Sequence, residues 1–506
     1  MEIWFLILIS ISICALLKPI IFPSKLTKLP PGPPSFHIIG ILLWLRKTPL
    51  EIESTLRNLH SKYGPIITVY IGPFPSIFIA DRSLAHKALI QNGIVFADRP
   101  PVLSTIKIIS SNQFNISTAF YGSTWRLLRR NLTSEILNPS RVRSYMRARK
   151  WVLDILFDRL LSHSKSSNSI RVVDHFQFSM FCLLVLMCFG DKLDENQIKE
   201  IEAVQRKLLV SYGRFNVLNF WPRLTKIFLP SRWEEFFNIK NSRDKVLFPL
   251  IEARKKVKQE RFGEIKDEGD EFVLSYVDTL LDLEHPLEKR KLDNGEIVSI
   301  CSEFLNAGTD TTSTALQWIM ANLVKYPNVQ EKLFEEIKEV VGNGTEEVNE
   351  EDLGKLPYLK AVVLEGLRRH PPGHFVLPHA VKEDVIFEGY IIPKKGTVNF
   401  LVADMNLDPK VWEDPMEFKP ERFMENGKEM FDITGSKEIK MMPFGAGRRI
   451  CPGFGLAILH LEYFVANLVW RFEWKAVDGD EVDLSEKVEF TTVMKNPLLA
   501  HLRSRF

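Results

Sequence analysis

The chain has 506 residues, 45% of them hydrophobic, enough to bury a large core. Its 66 Lys and Arg against 63 Asp and Glu leave a formal charge of +3, which argues against nucleic acid as a partner. The five cysteines (Cys14, Cys182, Cys188, Cys301 and Cys451) are odd in number and lack framework spacing, so they read as reduced thiols in a cytosol-facing body.

Residues 3–17 are apolar apart from Ser10 and Ser12, and residues 20–22 extend the run past Lys18-Pro19. About 20 apolar residues span a bilayer. Glu2 precedes the run and Lys18, Lys25 and Lys28 follow it, the reverse of a cleaved signal peptide. The positive-inside rule then places the body in the cytoplasm and the first residues in the lumen. Residues 1–22 therefore read as a signal-anchor transmembrane helix, with a cleaved signal as the alternative. Leu29-Pro30-Pro31-Gly32-Pro33-Pro34 makes residues 23–36 a semi-rigid hinge before a body at 37–506.

Residues 50–63 read as a helix ended by Gly64-Pro65, followed by a hairpin-like pair of strands at 66–71 and 76–80. Phe96-Ala97-Asp98-Arg99-Pro100-Pro101 opens a long irregular stretch to about residue 123. Ser123 is the expected cap of a helix on which Trp125 and Arg129, four apart, share a face. From 152 to 261 the pattern is mainly helical, with a polar break at 162–169 and an aromatic lid at 215–237 between two helices. The charged stretch 255–270 carries no assigned role. Asn115, Asn131 and Asn343 head glycosylation sequons that a cytosolic body leaves unmodified.

One long helix is expected at 296–325, about 45 Å at 1.5 Å per residue, stopped by Pro327. In its middle stand Ala307-Gly308-Thr309-Asp310-Thr311-Thr312, poor helix formers whose hydroxyls compete for backbone carbonyls. Weak propensity inside a strong helix marks a functional site. A further helix from Pro357 carries Glu365 and Arg368, three apart on one face, and ends at Pro371-Pro372. Leu377-Pro378-His379-Ala380 and Pro420-Glu421-Arg422-Phe423 follow.

The stretch that organises the rest is Pro443-Phe444-Gly445-Ala446-Gly447-Arg448-Arg449-Ile450-Cys451-Pro452-Gly453, with an apolar helical run at 456–472 behind it. A cysteine beside a helix N-terminus and two arginines sits in a field that favours thiolate. Such a thiolate serves as nucleophile, zinc ligand or haem ligand, and no CxxC or CxxH spacing supports zinc. Phe444, Gly447, Arg449, Cys451 and Gly453 reproduce the Phe-x-x-Gly-x-Arg-x-Cys-x-Gly signature, and in this the chain resembles the cytochrome P450 family of haem-thiolate monooxygenases, most closely its plant A-type microsomal members.

The resemblance runs from the anchor to the C-terminus. It implies a mainly α fold with small β-sheets, a helical prism around a buried haem b, as one domain. It makes Cys451 the axial ligand of the iron, Thr311 the alcohol and Asp310 the acid that deliver protons, and Gly308 a close approach to the haem. Trp125, Arg129, Arg99, His379, Arg449 and Phe444 become cofactor contacts, and Glu365, Arg368 and Arg422 a structural network behind the cysteine loop. Phe375, Val376, Phe490 and Val493 are the expected pocket lining. The implied partners are O2, a small lipophilic substrate, the endoplasmic reticulum membrane and an NADPH–cytochrome P450 reductase, with cytochrome b5 open as a second donor. NADPH and flavin enter only through the reductase, since no binding motif for either follows Cys451. Linear tetrapyrroles from chlorophyll breakdown are one substrate class in the branch the chain leans towards. Two other readings stay open: a reductase-independent haem-thiolate isomerase or dehydratase, and a non-enzymatic haem or lipid binder. The intact Asp310–Thr311 pair argues against both.

Overall fold

A computed structural model describes residues 28–34, 47–70, 74–166, 169–219, 221–261, 274–342, 344–424, 431–477 and 481–506. The anchor at 1–22, parts of the hinge, Asn343 and residues 262–270 of the charged stretch lie outside the described residues. The contacts divide the chain into two units: one of residues up to Pro100 with His374–Asp408 and Asp432–Arg449, the other of Pro101–Gly373, Pro409–Phe431 and Ile450–Phe506.

In the first unit, α1 (Pro49–Tyr63) starts at a capping box. The Thr48 hydroxyl accepts from the Glu51 N–H, and the Glu51 carboxylate accepts from the Thr48 N–H. Strands β1 (Ile66–Tyr70) and β2 (Pro75–Ile79) pair antiparallel, as the hairpin pattern suggests; β2 lies one residue earlier than read, and residue 71 lies outside the described residues. A second hairpin joins β3 (Val385–Phe387) to β4 (Tyr390–Ile392). β5 (Thr397–Phe400) then adds parallel to β2. The alternating residues Ile77, Ile79, Val398 and Phe400 point into a core with Phe96 and Met442.

The second unit is helical. A short α2 (Ser104–Ile109) interrupts the stretch read as irregular. Helix α3 (Ser123–Asn131) has Gly122, not Ser123, at its cap position. Helix α4 (Met146–Ser166) runs through most of the supposed polar break, which holds no Gly or Pro to stop it. Helix α5 (Val172–Phe189) is long and apolar enough to cross a membrane, yet 94% of it is buried within the protein, where it is a core helix. After α6 (Glu195–Ser211) the expected lid is shorter than read. It holds a 3-10 turn (Gly213–Asn219) and a short helix (Pro222–Phe228), and α7 (Pro230–Arg261) already begins at Pro230, whose missing N–H is not needed in a first turn.

The central element is α8 (Asn294–Lys325), opened by a capping box between Asp293 and Glu296 that contributes about 1 kcal/mol. It packs along α5 and also touches α6. After α9 (Pro327–Val341), two further helices lean on α8: α10 (Pro357–Arg369) and α11 (Phe454–Arg471). The C-terminal strands are β6 (Phe472–Ala476), the hairpin β7 (Glu486–Val488) and β8 (Thr492–Met494), and β9 (Leu499–Ser504), which pairs with β6. The described cysteines Cys182, Cys188, Cys301 and Cys451 are all free thiols.

Candidate active site

The glycine-rich loop belongs to the first unit up to Arg449. Gly445 and Gly447 have φ of +68° and +70°, and a Cβ on Gly447 would stand 2.0 Å from the Leu89 carbonyl oxygen. No other residue fits at Gly447. Arg449 Nε donates to the Ala97 carbonyl at 2.7 Å, and Arg99 Nη1 donates to those of Leu377 and Pro378, both at 2.9 Å. His379 is buried with Nδ1 2.7 Å from the Phe96 carbonyl oxygen. Arg99, Arg449 and His379 therefore gather on one short segment, Phe96 to Arg99. Burial first, then Arg99 and more weakly Arg449, push the His379 imidazole down to about 3, against an upward pull from the Phe96 carbonyl that exceeds the Arg449 effect. The ring is thus neutral, chiefly because it is buried. Phe444 is half-buried. Phe375 stacks edge-on against Phe78 and packs on the strand core, while Val376 packs beside Gly445.

In the second unit, Arg129 Nη1 donates to the Ile450 carbonyl at 2.7 Å and so stands beside Cys451. The arginine does lower the thiol's pKa, as does the Gly453 N–H, but burial outweighs both and pushes it up. The expected positive field is present and is not the winning effect. Trp125, one turn from Arg129, is buried against the Tyr121 ring at 5.1 Å. Behind the cysteine, Leu456–Leu459 in the first turns of α11 are only half-buried, whereas the helix from His460 on is almost wholly enclosed.

Helix α8 shows four different faces around its motif. Ala307 is exposed and Thr311 partly so, in a helix buried along its following turns, and the Thr311 hydroxyl donates to the Ala307 carbonyl at 2.6 Å. Gly308 points the other way: a Cβ there would lie 2.3 Å from Leu184 Cδ1. Its smallness lets α8 close on α5. Asp310, Thr314 and Trp318, four apart, are sewn to the turn of the β7–β8 hairpin. Asp310 Oδ2 accepts from the Thr491 hydroxyl at 2.7 Å, the Thr314 and Thr491 hydroxyls are 3.1 Å apart, and Trp318 Nε1 donates to the Thr492 carbonyl at 2.8 Å. Burial raises the Asp310 carboxyl, partly offset by Thr491 and Arg206 and reinforced by Glu489. Thr309 faces neither strip and is buried.

Glu365 on α10 is wholly buried with Arg368, which holds it through Nε at 2.6 Å and Nη2 at 2.8 Å. Arg422 Nε adds a third bond at 3.1 Å and the Lys419 N–H a fourth at 2.8 Å. The guanidinium groups also donate to the Glu413, Pro415 and Glu417 carbonyls, which ties the segment after Trp412 to α10. A fully paired buried carboxylate of this kind is structural.

A sequence model described as "Cytochrome P450" matches residues 30–502. The chain belongs to the cytochrome P450 family. Cytochrome P450 89A9 of Arabidopsis thaliana is 54% identical over 99% of this chain and 98% of its own. Isoflavone 3'-hydroxylase of Medicago truncatula is 32% identical over 97% of this chain and 95% of its own. A solved zebrafish cytochrome P450 with progesterone superposes with a TM-score of 0.73 at 22% identity, covering 90% of this chain and 100% of that one. At that identity the likeness speaks for the fold alone, mainly helical with small sheets.

A cytochrome P450 is a haem-thiolate monooxygenase, and its cofactor is haem iron. The residues present fit that group. Cys451 offers one thiol, sufficient for an iron whose macrocycle brings its own equatorial nitrogens. Among the described residues no three His, Cys, Asp or Glu side chains gather to hold a bare ion. The uncovered apolar turns of α11 and the uncovered Ala307 of α8 are surfaces that a flat apolar cofactor would shield.

Of the expected pocket residues in the second unit, Val493 is half-buried and Phe490 is 47% exposed. Thr491, between them, is the residue that sequence reasoning missed. The spacing of Asp310, Thr314 and Trp318 shows that they share a face of α8, but not which distant hairpin meets it.

Proposed function

We propose that this cytochrome P450 inserts one oxygen atom of O2 into a small lipophilic molecule, taking electrons from NADPH through a separate reductase at the endoplasmic reticulum membrane. Residues 1–22 would anchor it there with the first residues lumenal, residues 23–36 would act as hinge, and 37–506 would be the cytosolic catalytic domain. Cytochrome b5 is a second candidate donor. The single observation that carries the reading is the acid–alcohol pair on α8: Thr311 on the uncovered strip beside Ala307, and Asp310 next to it with its carboxyl pKa raised.

Cys451 would hold the iron, with Arg129 near it as a cation for a haem carboxylate; Arg99, Arg449 and Trp125 are further candidate contacts. When bound, the haem supplies the redox chemistry with O2, and the thiolate adds electron density from its side. The protein's own part is proton delivery. Thr311 keeps its hydroxyl proton on the Ala307 carbonyl and can turn it outward on the uncovered strip. Asp310 holds its proton to a higher pH than an exposed carboxyl does and reloads the alcohol.

The test is NADPH-driven turnover of a plant tissue extract, and separately of linear tetrapyrroles, by the full chain with a plant reductase. Mass spectrometry reads compounds that gain one oxygen, with Thr311→Ala as control. Products made by the wild type only with NADPH support the reading, and products formed without NADPH turn it into an isomerase. A Cys451→Ser protein that keeps the thiolate–CO Soret band removes Cys451 as ligand. A chain lacking residues 1–28 that stays fully membrane-bound removes the anchor as the main attachment.

A further inference from the structure

Where α6 meets α8 the protein holds a small cavity of about 20 Å³ with a mostly apolar wall that includes Phe181 and Leu209; its polar groups include Glu202, Gln205 and Arg206 from α6 and Asn306, Thr309 and Asp310 from α8. A single water needs roughly 10–15 Å³ and two to four polar partners. Two buried polar atoms in this lining have no hydrogen-bond partner: Gln205 Nε2 and Thr309 Oγ1, on side chains 1% and 6% exposed. The Gln205 amide is oriented by its other end, since Oε1 accepts from the Ser302 hydroxyl at 2.8 Å. The third partner is the Asp310 carboxyl, one oxygen of which is taken by Thr491. On the outer side, Arg206 is exposed and Glu202 half-buried.

We propose that this cavity is the proton inlet of the enzyme: one water, held by Gln205, Thr309 and Asp310, links the Glu202 carboxyl to that of Asp310. The inference rests on the reading of Asp310 as the acid that reloads Thr311. Glu202 gives its carboxyl proton to the water, the water passes one of its own to the Asp310 carboxylate, and solvent reprotonates Glu202. No electrons move. The electrostatics suit carboxyls that carry protons. Burial raises Glu202 as it raises Asp310, against the pull of Arg206, Arg159 and Lys199 on Glu202, where Asp174 adds to the rise. Thr491 fixes the Asp310 carboxyl from the far side, so only the cavity side is left for the water.

The structural arm of the test is a crystal structure of the haem-loaded protein, wild type and Thr309→Val, at a resolution that orders waters. The expected result is one water within hydrogen-bond reach of Gln205 Nε2, Thr309 Oγ1 and Asp310 in the wild type, lost in the variant. A dry wild-type cavity overturns the proposal. The kinetic arm measures NADPH consumption in H2O and D2O with a plant reductase for wild type, Glu202→Gln and Asp310→Asn, each checked for an intact thiolate–CO spectrum. Glu202→Gln should slow the proton-dependent step about tenfold and enlarge its solvent isotope effect, less than the hundredfold or more of a positioned acid because solvent partly replaces an outer relay group. If Glu202→Gln behaves as wild type while Asp310→Asn is slow, protons enter elsewhere and only the inlet falls. If Asp310→Asn also behaves as wild type, the role of Asp310 itself is lost.

Discussion

Glu365 and Asp310 are two buried carboxyls in the same unit with opposite surroundings. Glu365 is wholly enclosed, and two guanidinium groups and a backbone N–H occupy its oxygens. Asp310 has one hydroxyl bond, from Thr491, and borders a small cavity. The first has nothing left to exchange and fixes the chain around it. The second keeps a raised carboxyl and an open side, which is what proton traffic requires. Burial alone therefore does not separate structure from chemistry; the number of fixed partners does.

The sharpest way to break this contrast is Glu365→Gln, which strands Arg368 and Arg422 as uncompensated charges. It should lower folding stability by about 3–5 kcal/mol in chemical denaturation. A loss below about 1 kcal/mol would mean the network does not hold its segment. Asp310→Asn should do the reverse: turnover falls about a hundredfold, whereas stability near neutral pH does not fall. The sign follows from the raised carboxyl. The folded chain binds the proton more tightly than the unfolded one, so stability declines as pH rises from the unfolded pKa through the folded one. Denaturation midpoints across that window should decline less steeply in Asp310→Asn than in wild type.

Gly308→Ala tests a neighbouring claim, that this glycine serves helix packing. The added methyl meets Leu184, and a melting experiment should show a loss of about 1–3 kcal/mol. Pairing it with Leu184→Ala should give a double mutant less damaged than the sum of the singles. Additive losses would return Gly308 to the cofactor. The smallest effect is that of Thr491→Val, about 1 kcal/mol from one hydrogen bond. Its specific signature is a further rise of the Asp310 carboxyl in an infrared pH titration, restored by Thr491→Ser. An unmoved titration would detach Thr491 from Asp310.

Local chemistry made much of this legible. The hairpin β1–β2, the long α8 with its stop before Pro327, and the Glu365–Arg368 pairing all follow from spacing of three, four or two residues and from Gly and Pro punctuation. Boundaries set by polarity alone were less secure. A serine-rich stretch without Gly or Pro stayed helical to Ser166, because polar composition lowers burial without breaking a helix, and the lid lost its last third to α7, whose first turn accepts Pro230. His379 shows the limit for a site. The segment Leu377-Pro378-His379-Ala380 shows the imidazole, but the burial that denies it a proton, reinforced by the arginines at 99 and 449, is set by packing.

The sequence by itself determined the family and the cofactor, because Cys451, its glycines and its arginines lie within one short stretch whose chemistry is local. It also determined that α8 is interrupted by an acid beside an alcohol. Only the tertiary structure decided which of these small and polar residues meets a helix, a hairpin or a cavity. Gly308 lies against Leu184, Asp310 bonds Thr491 from 181 residues away, and Gln205 and Thr309 share a pocket. The physical reason is that a helix turns about 100° per residue, so adjacent letters face different partners, and those partners are chosen by packing rather than by neighbours in the chain.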